Sequence, residues 1–300
     1  MYLDKFENHT RAFVKIQDGC NNFCSYCIIP YARGNVRSKK REDVLHEITT
    51  LINNGHEEIV LTGIHTGHYG EDNENYKFPD LLKDILKITG LKRLRISSIE
   101  VTELNNEFLQ VLKENSVLVD HMHIPLQSGC DKTLKEMNRK YNMEYYKDKI
   151  ETIRKIRPNI SITTDLIVGF PGETEEDFLE TMDVVNRVRF DTAFTFIYSK
   201  RTGTPAATFE DHATKEEIQN RFDRLIKRVS EISGEEICRY KGQVMPVLIE
   251  SVSEQNPELL TGRLSNNILV HFKGDPSMIG EIRDVSLDEC KGFYYMGNLV

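Results

Sequence analysis

The chain has 300 residues, 39% of them hydrophobic, enough to bury a sizeable core and to make about two domains. It has no run of ~18 apolar residues, and its start, MYLDKFENHTR, is polar and mixed in charge, so neither a membrane span nor a signal peptide is read and a cytoplasmic protein is expected. A net charge of −8 and a pI near 5.7 exclude a uniformly basic nucleic-acid binder; any RNA contact has to use local basic patches on an acidic body.

Strands and helices alternate first. Residues 12–16 (AFVKI) read as a short buried strand that runs into a cysteine-bearing loop. Residues 41–53 carry apolar side chains at helical spacing (Val44, Ile48, Leu51, Ile52) and stop at Asn54-Gly55. A strand follows at 58–63, a polar loop at 67–77, and a helix from Pro79 carrying Leu81, Leu82, Ile85 and Leu86. Then come a strand at 93–98, a helix at 103–114, a strand at 121–126 and helices at 131–137 and 143–157. A β-branched strand at 160–169, a helix at 174–188 and a sixth strand at 191–198 complete the series. The helix start Thr174-Glu175-Glu176-Asp177 is a cap followed by acids that suit the positive helix end.

Six strand–helix repeats imply a parallel sheet with right-handed crossovers. Eight would close a full barrel; six predict an open, partial (β/α)6 barrel with its chemistry at the C-terminal strand ends. The cysteine loop, Gly63, Glu100, Gln127, Gly169 and Tyr198 all fall there. A loop at 201–211 leads into one amphipathic helix over 214–239 (Ile218, Phe222, Leu225, Ile226, Val229, Ile232). Beyond Gly242, short alternating strands at 244–250, 259–263, 268–272, 279–286 and 292–296 are separated by Asn-Pro, Asn-Asn and Asp-Pro turns. They predict a small C-terminal β-barrel of oligonucleotide-binding size. The expected organisation is residues 1–10 as a linker or remnant, 11–239 as the α/β domain and 240–300 as the β-barrel domain.

Cys20, Cys24 and Cys27 are spaced C-x3-C-x2-C, so three thiolates converge from one tight loop. Soft thiolates select iron–sulfur clusters, zinc or copper(I). A four-iron cluster normally takes four cysteines, and no fourth lies nearby, which leaves one coordination position open for a ligand. A zinc knuckle lacking one ligand and structural disulfides are the competing readings. Cys130, Cys238 and Cys290 are scattered, and no disulfide framework is expected. After the loop, Arg33, Arg37, Lys39 and Lys40 form the clearest basic stretch, either a solvated helix start or a phosphate contact. His121 and His123 share one strand face, where ordinary packing is expected; His65 and His68 lie on a loop near the site.

The stretches CNNFCSYCIIPYARG, LTGIHTGHYG, RISSIE, HIPLQSGCD, MNRKY, TDLIVGFPGETEEDF and YSKRTGTPAA together resemble the radical S-adenosylmethionine (SAM) methylthiotransferases, over residues 11–300. LTGIHTGHYG and RISSIE are similar to the branch acting on threonylcarbamoyladenosine in tRNA, and the C-terminal barrel resembles the TRAM domain, an RNA-binding module. The resemblance implies a [4Fe-4S] cluster whose free iron chelates SAM, cleavage to a 5′-deoxyadenosyl radical, and methylthiolation at carbon 2 of the modified adenosine 3′ of the anticodon. It implies tRNA and an electron-donor protein as partners, a monomer, and no membrane. Cys20, Cys24 and Cys27 would ligate the cluster, where the radical is generated, so no separate catalytic side chain is named. Tyr26, Glu100, Gln127, Arg139, Asp165, Gly169 and Phe196 fall where the family contacts SAM, with Arg139 placed for the carboxylate. Each also has a plainer reading: packing for Tyr26, core for Phe196, a turn for Gly169, a surface charge for Glu100 and Arg139, a structural hydrogen bond for Gln127 and Asp165. Arg33, Arg37, Lys39, Lys40 and Arg263 are the candidate RNA contacts.

Full-length members of the family carry a preceding domain with three more cysteines and a second [4Fe-4S] cluster, the site of sulfur insertion. About ten residues precede the first strand here, so a fragment that binds cluster and SAM without completing the reaction is expected. Asn267 stands where the family often has an aromatic ring, which removes one stacking platform for RNA. The alternatives are the same chemistry on isopentenyladenosine tRNA or a ribosomal protein, and a non-catalytic RNA-binding module whose cysteines hold zinc or nothing.

Overall fold

A computed structural model describes residues 10–73, 75–211 and 213–300. The expected linker at 1–10 lies outside the described residues except for Thr10. The chain begins β1 (Arg11–Lys15), β2 (Gln17–Asp18), α1 (Ile29–Arg33), β3 (Arg37–Ser38), α2 (Arg41–Asn53), β4 (Glu58–Thr62), α3 (Phe78–Ile85), β5 (Arg93–Ile96), α4 (Asn106–Glu114) and β6 (His121–His123). It continues α5 (Asp131–Glu136), α6 (Met143–Ile156), β7 (Ser161–Val168), α7 (Glu175–Val188), β8 (Thr192–Ile197) and α8 (Lys215–Ile237). The last strands are β9 (Val244–Val252), β10 (Leu259–Leu264), β11 (Leu269–Lys273), β12 (Ile282–Cys290) and β13 (Tyr294–Leu299).

Two three-stranded parallel sheets, β1-β4-β5 and β6-β7-β8, meet through the parallel bridge Leu94↔Leu118. Together they make the expected partial barrel, open between β1 and β8. Alternation along each strand sends one row outward: Ala12 and Val14 of β1 and Ile162, Leu166 and Val168 of β7 pack under the helices. Each such side chain contributes about 1.5–3 kcal/mol of apolar burial. The Thr174 hydroxyl accepts the Asp177 N–H (3.2 Å), while Asp177 accepts the Thr174 N–H (2.9 Å), so α7 starts where its sequence sets the capping box. Helix α8 turns Leu225, Val229 and Ile232 to the core, while Ile226, expected on that face, is exposed.

The predicted helix at 103–114 divides: Val101–Glu103 is a separate 3-10 turn, and Asn105 caps α4 by accepting the Phe108 N–H (2.9 Å). The strand predicted at 279–286 starts only at Ile282, because the 3-10 turn Pro276–Met278 and Gly280 (φ 98°) precede it. The C-terminal strands close in the order β10-β11-β13-β12-β9 around Val247, Val270, Phe272 and Tyr295. Cys238 and Cys290 are joined in a disulfide across 52 residues, a pairing that their sequence spacing concealed. Closure of the barrel onto the end of α8, where Tyr295 donates to the Ile237 carbonyl (2.6 Å), brings them together.

The two domains meet at the N-terminal ends of the partial-barrel strands. Arg93 donates to the carbonyls of Arg263 (3.0 Å) and Pro246 (2.7 Å), and Arg95 to that of Ser265 (3.0 Å). Between these arginines lies the fully buried Glu58, 2.6 Å from Arg95 Nε. No helix among the described residues is long and apolar enough to cross a membrane.

Candidate active site

The cysteine loop is fastened at several points before any ligand is considered. Gly19 (φ 76°) turns it so tightly that a Cβ there would sit 2.0 Å from the Asn35 carbonyl oxygen. The buried Gln17 side chain donates to the Gly19 carbonyl (2.7 Å) and accepts the N–H groups of Ile64 (3.1 Å) and His65 (2.9 Å). The end of β4 is thereby tied to the cysteines. On the other side, Ser25 donates through Oγ to the Glu136 carbonyl (2.7 Å) and through its N–H to the Met137 carbonyl (3.0 Å). Asn138 donates to the Phe23 carbonyl (2.8 Å).

The three cysteines line one cavity of about 170 Å³, together with Tyr26, Glu100, Gln127 and Arg139. All three are unpaired thiols. Burial pushes the Cys20 thiol up to about 11 and raises Cys27. Arg139, 6% exposed in its side chain, ion-pairs with Glu100 and donates to the Tyr141 hydroxyl (3.1 Å), the Pro125 carbonyl (3.3 Å) and Cys24 Sγ (3.6 Å). The surface reading of both charges is thereby excluded. Burial raises the Glu100 carboxyl, and the Arg139 charge opposes it. Gln127 takes a left-handed conformation (φ 69°) where β7 passes it, its N–H donating to the Asp165 carbonyl (2.8 Å).

The other expected SAM contacts lie outside this cavity. Asp165 faces His123 Nε2 at 3.2 Å. Phe196 stands beside Ile167 on the edge strand β8 and is 51% exposed, so it is not core. Gly169 (φ 70°) packs its backbone on Ile218, where a Cβ would approach Cγ2 to 2.7 Å, and its N–H is held by Glu173 Oε2 (2.7 Å).

Of the basic side chains, Arg33 and Arg37 are exposed, each 3.7 Å from Asp18. Lys40 is exposed at the start of α2, whereas Lys39 is committed to the buried Glu47. Arg263 sits at the domain junction, where its guanidinium lies against Glu250 (3.2 Å), which also pairs with Arg11 (2.8 Å).

Sequence reasoning passed over Gln17, Asn22 and Glu103. Asn22 Nδ2 lies 3.2 Å from Glu100 Oε2 and 3.3 Å from His65 Nδ1. Glu103 meets the Nε2 atoms of both His65 and His68. A buried glutamine directly after an apolar strand was the one available signal.

Three thiols, an open side and no fourth cysteine within reach fit a cluster with one free metal position. Among the other cysteines, Cys130 is buried against Asp177 (3.3 Å) and the remaining two are disulfide-bonded. The paired Glu100 and Arg139 beside them offer an anion and a cation to a zwitterionic ligand.

Residues 14–185 match the radical SAM superfamily, and residues 239–300 match the TRAM domain. A tRNA-2-methylthio-N(6)-dimethylallyladenosine synthase of Lachnoclostridium phytofermentans is 48% identical over 97% of this chain and 64% of its own length. The threonylcarbamoyladenosine tRNA methylthiotransferase MtaB of Bacillus subtilis is 43% identical over 98% of this chain and 66% of its own. A tRNA-2-methylthio-N(6)-dimethylallyladenosine synthase of Carboxydothermus hydrogenoformans is 43% identical over 99% and 68% respectively. The chain thus spans roughly two thirds of the length of these relatives, just under it for the first two. Among solved structures, coproporphyrinogen III oxidase (HemN) from Escherichia coli, a radical SAM enzyme, shares the fold with a TM-score of 0.56 at 16% identity, covering 76% of this chain and 54% of its own. The methyltransferase TsrM from Kitasatospora setae follows at 0.55 and 17%, covering 65% and 38%.

Proposed function

We propose, given that the chain belongs to the radical SAM superfamily, that it is the catalytic core of a tRNA methylthiotransferase. Cys20, Cys24 and Cys27 would hold the [4Fe-4S] cluster, and SAM would fill the cavity beside it. The observation that carries this reading is the convergence of three free thiols, Glu100, Gln127 and Arg139 on one cavity. When bound, the cluster with SAM supplies one-electron reductive cleavage of the sulfonium and hence hydrogen abstraction from the substrate.

The chain's own residues bind and orient. Glu100 is placed to take SAM's ammonium group and Arg139 its carboxylate, each already desolvated by the fold. Tyr26, which lines the cavity and whose hydroxyl is raised well above its ordinary value by burial, would pack against SAM. Asp165, Gly169 and Phe196, beyond the cavity, would meet the nucleoside part of SAM or the substrate. The C-terminal barrel and the exposed Arg33, Arg37 and Lys40 would hold tRNA, in the cytoplasm, with electrons from a donor protein and the chain acting as a monomer.

LTGIHTGHYG and RISSIE support threonylcarbamoyladenosine as the substrate nucleoside. The 48% identity to a dimethylallyladenosine synthase favours a second reading, the isopentenylated nucleoside. Anaerobic reconstitution tests the core: about four irons per chain and 5′-deoxyadenosine on adding SAM and reductant are expected, and zinc in place of iron would overturn it. Nucleoside analysis of tRNA from a deletion strain separates the substrates, by which methylthiolated adenosine disappears.

A further inference from the structure

We propose that His65, His68 and Glu103 form a second, mononuclear metal site for a divalent first-row cation, set behind the cysteine cavity. Their three donor atoms lie within 4.8 Å of one another. The two imidazoles stack at 3.4 Å between centroids and 19° between planes, and both bring Nε2 to the same Glu103 oxygen, 3.1 Å away for His68. Neither contact is aligned as a hydrogen bond: His65 Nε2 and Glu103 Oε1 are buried and left unsatisfied. Two nitrogens and a carboxylate oxygen converging on one point, without an N–H directed along any of the lines, is the arrangement that a cation completes.

The surroundings suit it. A metal-bound imidazole carries its proton on the other nitrogen and gives it to an outer partner. His65 Nδ1 lies 3.6 Å from Cys20 Sγ, and His68 Nδ1 lies 3.2 Å from Glu71 Oε1 without an aligned hydrogen bond. The second Glu103 oxygen accepts the Glu100 N–H (3.0 Å), which orients the carboxylate. Gly67 admits that carboxylate: a Cβ there would stand 1.9 Å from Glu103 Oε2. Two imidazoles and one carboxylate with open positions suit Zn²⁺ or Fe²⁺ rather than Mg²⁺ or Ca²⁺.

Binding needs no redox step. His65 Nδ1, on the far side of the ring from Glu103, lies 3.3 Å from Asn22 Nδ2 as well as beside Cys20. The site would thus fix His65 against one of the three cysteines while using none of them.

The test adds Zn²⁺ alone to the anaerobically reconstituted full chain and to its Cys20→Ser/Cys24→Ser/Cys27→Ser variant, and counts metal after gel filtration. One zinc per chain in both is expected. Glu103→Gln and, separately, His68→Ala should weaken zinc by more than about tenfold while iron in the reconstituted chain is unchanged. Zinc absent from both proteins, zinc lost with the cysteines, or zinc retained in Glu103→Gln and His68→Ala would each overturn the assignment. Because the serine variant has no cluster, failure of the radical SAM reading leaves this result readable.

Discussion

Arg139 and Glu100 face each other beside the cysteine cavity, both buried and 39 residues apart in sequence. Taking two charges out of water is costly, and removing one partner strands the other. Arg139→Ala should therefore lower stability by about 3–5 kcal/mol and weaken SAM binding, whereas Arg139→Gln with Glu100→Gln should recover part of the stability and none of the binding. Thermal unfolding and calorimetric titration with SAM separate the two effects.

Gly19 has no room for a side chain. Gly19→Ala combines a left-handed backbone with a contact of 2.0 Å to the Asn35 carbonyl. Stability should fall by more than about 1 kcal/mol, and iron incorporated on reconstitution should fall with it. The same substitution at Gly55, also left-handed but with open space around the added Cβ, should cost stability and leave iron content unchanged.

Burial pushes the Glu173 carboxyl up to about 7 from an ordinary 4.5. Between these values the folded chain keeps a proton that the unfolded chain has released. Stability from this group is therefore lost as pH rises from 4.5 through 7 and is level above that. Glu173→Gln should remove the loss, so its Tm advantage over the parent should be small at about pH 5 and larger at about pH 8. A gap that stays constant would contradict the shifted carboxyl.

Glu58 is the anion between Arg93 and Arg95 at the domain junction. Glu58→Gln leaves two buried guanidinium groups short of a counter-charge and should cost about 3–5 kcal/mol. Those arginines also hold the C-terminal barrel by its carbonyls, so a single unfolding transition should split in two, which calorimetry would resolve.

Much of the fold was legible because its signals are local. The 3.6-residue rows of α2 and the Thr174 capping box each lie within one element, and helix α2 runs over the residues its pattern marks. The C-x3-C-x2-C spacing is equally local, since three thiols on eight residues of loop can converge without help from the rest of the chain. Helix α4 starts later than its pattern because Asn105 caps it, while Glu103 lies in the separate turn before it, against two histidines from another loop.

The sequence by itself thus determined the order of strands and helices, the parallel partial barrel and the cysteine loop, since periodicity and short spacings act over one turn or one crossover. Only the tertiary structure decided which distant groups meet. Gln17 with His65, Glu100 with Arg139, Cys238 with Cys290, and Arg263 with Glu250 at the domain junction are outcomes of that kind. A buried polar group must find a partner wherever the folded chain offers one, and nothing in its own stretch of sequence names that partner.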